Sequence, residues 1–249
     1  MLRKSKSRVS RGPALAAEGI MSAIADSLQT ISARIGSAAR MGRNGVLIAV
    51  SKGHSAAVIR EAFAAGQRRF GESYLQEALP KIQALHDLPI EWHFIGPVQS
   101  NKTGGIAALF DWVHSVDRDK IAERLNAARP LECAPLNVCV QVNLSAEVGK
   151  SGVAPDQAAA LLRKVASLPR LKLRGLMAIG QAGLSETAQR QQFRSLRELF
   201  DRLNRQGLQL DTLCMGMSDD FEAAIAEGAS MVRIGSAIFG PRRKTVNGE

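Results

Sequence analysis

The sequence predicts an α/β fold, a single (β/α)8 TIM-type barrel with an extra N-terminal helix, on three observations. Eight short apolar runs recur from Val46 onward, each is followed by a stretch of helical periodicity, and the connections are long enough that neighbouring strands must run parallel. An open, doubly wound sheet satisfies the same alternation and stands as the second architecture.

In order, the leading stretch AAEGIMSAIADSLQTISARIGSAARMG repeats Ile20, Ile24, Leu28 and Ile31 on one face, a helix expected to cover the barrel bottom or its flank. VLIAVS, from Val46, reads as the first strand, and AAVIREAFAAG follows with Val58, Ile59, Ala62 and Phe63 on one face and Gly66 as the stop. The remaining strand runs are RRFGES near Phe70, IEWHFIG from Ile90, DWVHSVD near Val113, LNVCVQVN from Leu136, LKLRGLMAIG from Leu171, DTLCMGMS around Leu213 and SMVRIGSAIFG with Met231. Helical patterns separate them: YLQEALPKIQALH, NKTGGIAALF, RDKIAERLNAARP, APDQAAALLRKVASLP, SETAQRQQFRSLRELFDRLNRQG and SDDFEAAIAEG. In the fifth of these, Phe193, Leu196, Phe200 and Leu203 share a face before Gly207 closes the helix. No linker divides the chain. The expected organisation is one domain over residues 13–242, between a basic tail at 1–12, expected to be disordered, and a short tail at 243–249.

With 249 residues, 45% hydrophobic and 22% charged, the chain can bury a large single core. Aromatic content of 4% argues against a stacking surface for single-stranded nucleic acid. No apolar stretch reaches the roughly 18 residues of a membrane span. Cys133, Cys139 and Cys214 form no CxxC pair, which argues against a disulfide framework and a zinc knuckle and suits a reducing cytoplasm. The net charge of +10 would suit nucleic acid if it formed a face. It is concentrated at the ends instead: Arg3, Lys4, Lys6, Arg8 and Arg11 stand without an acid in the first twelve residues, and Arg242, Arg243 and Lys244 face only Glu249 in the tail. The basic start reads as an upstream start region in preference to an organelle-targeting segment.

A barrel places its functional groups at the C-terminal ends of its strands and commonly binds phosphate after strands seven and eight. The residues offered there include Lys52, Glu72, His93, Ser115, Asp117, Asn143, Met177, Ser218, Arg233, Gly235 and Ser236. They contain no HExxH, GxSxG or GxxxxGK[ST] set. They do contain a lysine opposite a corner suited to phosphate. Gly235 allows close backbone approach, Ser236 brings a hydroxyl and an amide, and SAIF opens one turn of helix. Ser218 is either a helix N-cap or a second phosphate donor. Asp219 and Asp220 should point away from an anion. A partly desolvated lysine facing a phosphate site is the arrangement that binds pyridoxal 5'-phosphate as a Schiff base, and a solvated charge is the plain alternative for Lys52. Arg233 would either pair with an acid at the rim or donate to the pyridine nitrogen.

Six ordered motifs, AVSK, GESYLQEA, WHFIGPVQSNK, QVNLSAEVGKSG, GLMAI and MGMSDDFEAAIAEGASMVRIGSAIFG, resemble the pyridoxal phosphate homeostasis protein family (YggS-like), related to the N-terminal barrel of alanine racemase. The resemblance runs from about residue 23 to residue 242. It implies that Lys52 carries the cofactor, that Ser218 beside Met217, with Gly235 and Ser236, holds the phosphate, and that Arg233 sits at the pyridine nitrogen. It also implies that Asn143 and His93 line the site, although a buried structural role is the other reading of His93, and that Lys150 belongs to a nearby loop. Ser73 stands where the family has asparagine, and Gly180 where proline is frequent. The implied function is intracellular homeostasis of pyridoxal 5'-phosphate, as a carrier or buffer, without independent turnover. A racemase-like enzyme would need a second base, for which Tyr74, the sole tyrosine, is a poor stand-in; a basic nucleic-acid binder is the third reading. A monomer is expected, with apo-enzymes that depend on the cofactor as partners and no membrane contact.

Overall fold

The structure is a computed structural model that describes residues 14–39, 45–144 and 151–241, with side chains described from residue 23. The expected tails, residues 1–12 and 243–249, and Ile20 of the predicted helical face lie outside those descriptions. After α1 (Ala14–Ala38) the elements alternate: β1 (Val46–Val50), α2 (Ala56–Ala64), β2 (Arg69–Glu72), α3 (Leu75–Ala84), β3 (Glu91–Phe94), a 3-10 turn at Ser100–Lys102, α4 (Thr103–Leu109), β4 (Trp112–Val116) and α5 (Asp119–Ala128). The second half continues with β5 (Leu136–Gln141), α6 (Ala158–Ala166), β6 (Leu171–Met177), α7 (Glu186–Arg205), β7 (Thr212–Cys214), α8 (Phe221–Ala226), β8 (Met231–Ile234) and α9 (Ser236–Phe239).

The strands close into a barrel in sequence order, all parallel, and β8 returns to β1 with Val46 opposite Met231 and Ala49 opposite Ile234. Closure excludes the open doubly wound sheet. Outside the sheet, the apolar stripes of the helices form the main core, with Phe193, Leu196, Phe200 and Leu203 of α7 buried as their spacing predicts. Inside, Ile48, Trp112, Cys139, Met177, Cys214 and Met231 pack together.

Ile24, Leu28, Ile31 and Ile35 of α1 are buried, and α1 packs against α2, α8 and α9. It therefore flanks the barrel and does not cap its bottom. The reason lies at the other end of the chain. The helix after β8 is a single turn, and α1 stands between α8 and α2, where a full eighth helix would otherwise pack.

The interior also holds two fully buried histidines. His93 Nδ1 lies 2.8 Å from His114 Nε2, and both rings stack with Trp112 at centroid distances of 5.5 Å. Glu91 Oε1 approaches His93 Nε2 to 3.1 Å, an ion-pair distance without hydrogen-bond alignment. Burial holds both imidazoles below their usual pKa, and for His114 the neighbouring His93 and Arg233 push in the same direction. Two neutral rings are the state the barrel accommodates.

Two predictions follow from this packing. Gly216 has φ +94°, and an added Cβ would lie 2.6 Å from Ala224 Cβ and 3.0 Å from Phe221 Cα. Gly216→Ala should lower stability by roughly 2–4 kcal/mol in a denaturant titration. Gly104→Ala, on α4 with nothing within 4 Å, should instead stabilise by up to about 1 kcal/mol; equal effects at the two sites would contradict the packing described. The second concerns pH. Because the folded-state pKa values of His93 and His114 are depressed, the unfolded chain binds more protons below its own histidine pKa. Stability should therefore fall as pH drops through about 6.5 toward the lower folded values, and a flat profile from pH 7 to 5 would contradict neutral burial.

Candidate functional site

Lys52 follows closely on the end of β1. Ile48 faces the barrel interior, and Val50 follows on the same side, packing beside Gly71 and Gly235. Pairing continues one residue past the strand, with Ser51 N–H donating to Gly71 O at 3.0 Å. Lys52 comes next, half-buried, in the turn that follows the strand. Gly53, at φ +80°, then turns the chain outward.

The β1–β8 register brings the opposite wall of the mouth next to it. Gly235 lies so close to β1 that a Cβ would stand 3.1 Å from Val50 O and 3.2 Å from Val50 Cβ. One turn of helix, α9, starts at Ser236 as the SAIF pattern predicts, and the first amides of such a turn have no acceptor within it. Ser236 Oγ donates to Ser218 Oγ at 3.2 Å, so the loops after β7 and β8 present two hydroxyls side by side.

Ser218 is not the N-cap of the helix that follows it. The residue at the N-cap of α8 is Asp220, and Ser218 sits in the preceding turn with its hydroxyl toward Ser236. Asp220 Oδ1 accepts from Met217 N–H at 2.6 Å, which bends that carboxylate back onto its own loop; burial raises its pKa, opposed by this bond and by the Arg233 charge. Asp219 is exposed, and Met217 is 37% exposed at the rim.

Arg233, on β8, is 4% exposed and crosses the mouth. Nη1 donates to Cys214 O at 2.8 Å and to its sulfur at 3.0 Å, while Nη2 donates to Ala178 O at 2.9 Å. These are neutral acceptors, since burial pushes the Cys214 thiol pKa up. The rim salt bridge considered for this residue is therefore not what the arginine makes. A buried guanidinium met by carbonyls and a thiol suits an uncharged ring nitrogen or an anion.

Asn143 lies just past β5, its N–H donating to Val153 O at 2.9 Å, and borders a cavity of about 290 Å3 with Ile95, Pro97, Gln141, Ile179 and Gly180. His93 is engaged inside the barrel by His114 and Trp112, which matches the structural reading of that residue. Lys150 lies outside the described residues. Ser73, at the position of the family asparagine, is buried, with its carbonyl where any Cβ on Gly96 would collide.

Spacing alone missed the partners. Cys214 and Ala178, which hold Arg233, carry no sequence signal. Lys81 did carry one: on α3 it shares the buried face of Leu75 and Ala78, and a lysine at a core position of an amphipathic helix must have buried partners.

The residues fit a phosphorylated pyridine aldehyde: an amine past one strand end, two adjacent hydroxyls on the loops after β7 and β8, a glycine packed close to β1, and a buried guanidinium on β8. Residues 21–243 match the family described as alanine racemase, N-terminal domain. A Pseudomonas aeruginosa protein named pyridoxal phosphate homeostasis protein is 58% identical over 226 residues, covering 89% of this chain and 97% of its own length. The Escherichia coli protein of that name is 48% identical over 229 residues, covering 89% and 98%. Among solved structures, PipY of Synechococcus elongatus with PLP bound is 40% identical at a TM-score of 0.79, covering 87% of this chain and 100% of PipY. This chain belongs to the alanine racemase N-terminal domain family and, within it, to the pyridoxal phosphate homeostasis proteins.

Proposed function

We propose that this chain binds pyridoxal 5'-phosphate at the barrel mouth, on Lys52, and acts in the intracellular homeostasis of that cofactor as a carrier or buffer. The observation that carries the reading is the pair of hydroxyls, Ser218 and Ser236, on the loops after β7 and β8, with β8 paired to the strand that leads to Lys52. When bound, the cofactor would supply an aldehyde, and Lys52 would be the amine that holds it. Ser218 and Ser236 would hold the phosphate, Gly235 would let it approach the backbone, and the bond from Met217 N–H would hold the Asp220 carboxylate in its own loop. Arg233 would face the pyridine nitrogen as a donor and keep it unprotonated, because a guanidinium holds its own proton. Asn143 borders the space beside the ring, and His93 supports the floor.

This set of groups serves binding better than turnover. An unprotonated ring withdraws electrons poorly, and a racemase requires a base on each face of the substrate α-carbon. Tyr74 is 56% exposed on the rim after β2. Release by hydrolysis or exchange at Lys52 needs neither an electron sink nor a second base. The recipients are apo-enzymes that depend on the cofactor. Residues 13–242 form the binding unit, acting as a monomer in the cytoplasm; among the described residues no helix is long and apolar enough to cross a membrane.

Ser218→Ala and Ser236→Ala should each weaken cofactor affinity about tenfold in an absorbance titration, the size of one charge-assisted hydrogen bond lost. Affinities within about twofold of the original would remove the phosphate from this corner. The carrier reading makes a separate claim. The loaded protein should reactivate a cofactor-dependent apo-enzyme, while L-alanine in deuterium oxide keeps its α-proton. Multiple-turnover exchange that disappears in Lys52→Ala would identify a racemase-like enzyme instead.

A further inference from the structure

On the outer side of the barrel wall, behind Lys52, lies a buried ionic cluster that cofactor binding does not itself require. Lys81 of α3 is 6% exposed, and its Nζ donates to Ser51 O at 2.9 Å, to Glu72 Oε1 at 2.8 Å and to Glu77 Oε1 at 2.5 Å. An ammonium has three protons, and all three are placed. Ser51 Oγ donates to the same Glu72 oxygen at 2.6 Å, and Gly53 N–H donates to the same Glu77 oxygen. Both chain neighbours of Lys52 are thus gripped, Ser51 by its carbonyl from α3 and by its hydroxyl from β2, and Gly53 by its amide from α3.

Stability does not explain this arrangement. Burial raises the Glu72 pKa, with Lys81 and Ser51 opposing, and Glu72 Oε2 has no partner. A buried ion cluster with an unsatisfied oxygen adds little that apolar packing between β2 and α3 would not supply. What it does provide is a fixed backbone on each side of one residue, where the chain leaves a strand for a glycine turn. A lysine side chain has many rotamers, and holding its base lowers the entropy lost when Nζ must meet an electrophile in one orientation.

We propose that Lys81, held by Glu72 and Glu77, is the positioning residue for Lys52: through Ser51 and Gly53 it aims Nζ into the barrel mouth and sets how long the cofactor is retained. The inference rests on the reading of Lys52 as the cofactor lysine and goes beyond it by assigning a role to α3.

The test uses the full chain in three forms: Glu77→Ala, Lys81→Met combined with Glu72→Gln so that no lone ion is buried, and the original. Three quantities are measured for each: the dissociation rate of bound pyridoxal 5'-phosphate, the rate at which an amine-reactive reagent labels Lys52 in cofactor-free protein relative to exposed Lys120, and the thermal midpoint. Both variants should release the cofactor about tenfold faster and label Lys52 at a changed rate while Lys120 is unaffected. A lowered thermal midpoint with dissociation and labelling within about twofold of the original would reduce the cluster to a structural role and overturn the proposal. Should the double variant not fold, Glu77→Ala decides alone, since the Glu77 side chain is 32% exposed and its loss leaves the Lys81–Glu72 pair in place. Lys52→Ala is the separate control: an unchanged bound-cofactor spectrum in that variant would overturn the cofactor reading itself, and the inference with it.

Discussion

Closure of the sheet between β8 and β1 is the constraint from which the site follows. The register that sets Ile48 beside Arg233 and Ala49 beside Ile234 determines which residues emerge together at the mouth. On β1 the chain emerges at Lys52; on β8 it emerges at Gly235 and Ser236. A shift of one residue would turn Arg233 out of the barrel and Lys52 away from the mouth, because side chains alternate along a strand. Gly235 records the tightness of this contact, having no room for a Cβ against Val50. The early and late parts of the chain therefore build one site only once the barrel is closed.

The interior of that barrel is more polar than closure requires. Arg233, His93 and His114 are buried among apolar side chains, each with partners that leave it either permanently charged or neutral. The arginine is satisfied by carbonyls of β7 and the β6 exit, so its charge remains available to whatever occupies the mouth. The histidine pair lies beneath it, and His114 is pushed toward the neutral form partly by the arginine itself. A second charged layer stands outside the wall, where Lys81, Glu72 and Glu77 grip the segment around Lys52. Lys52, the proposed cofactor lysine, thus follows a strand with polar groups on both sides of the wall, Arg233 and the histidines within and the Lys81 cluster outside.

The strands were legible because parallel strands buried on both faces read as continuous apolar runs, and VLIAV and LNVCVQ are such runs. The position of α1 was not, since its apolar stripe states only that one face is covered. Its place beside α8 depends on α9 stopping after Phe239, a fact about tertiary space. Lys52, Gly235 and Ser236 could be named from strand ends and a glycine-serine pair. The role of Ser218 could not be decided, because capping and ligand contact ask for the same residue type, and the choice falls to whether Asp220 takes the cap. Lys81 interrupts the apolar face of α3, a signal carried by a helix face and not by a strand end.

One amine among the chain's lysines, that of Lys52, is proposed to hold the cofactor. Borohydride reduction of the loaded protein, followed by proteolysis and mass spectrometry of the modified peptide, tests it most directly. The claim predicts a single stoichiometric adduct on the peptide containing Lys52. An adduct found chiefly on Lys150, on Lys81 or spread over surface lysines would contradict it.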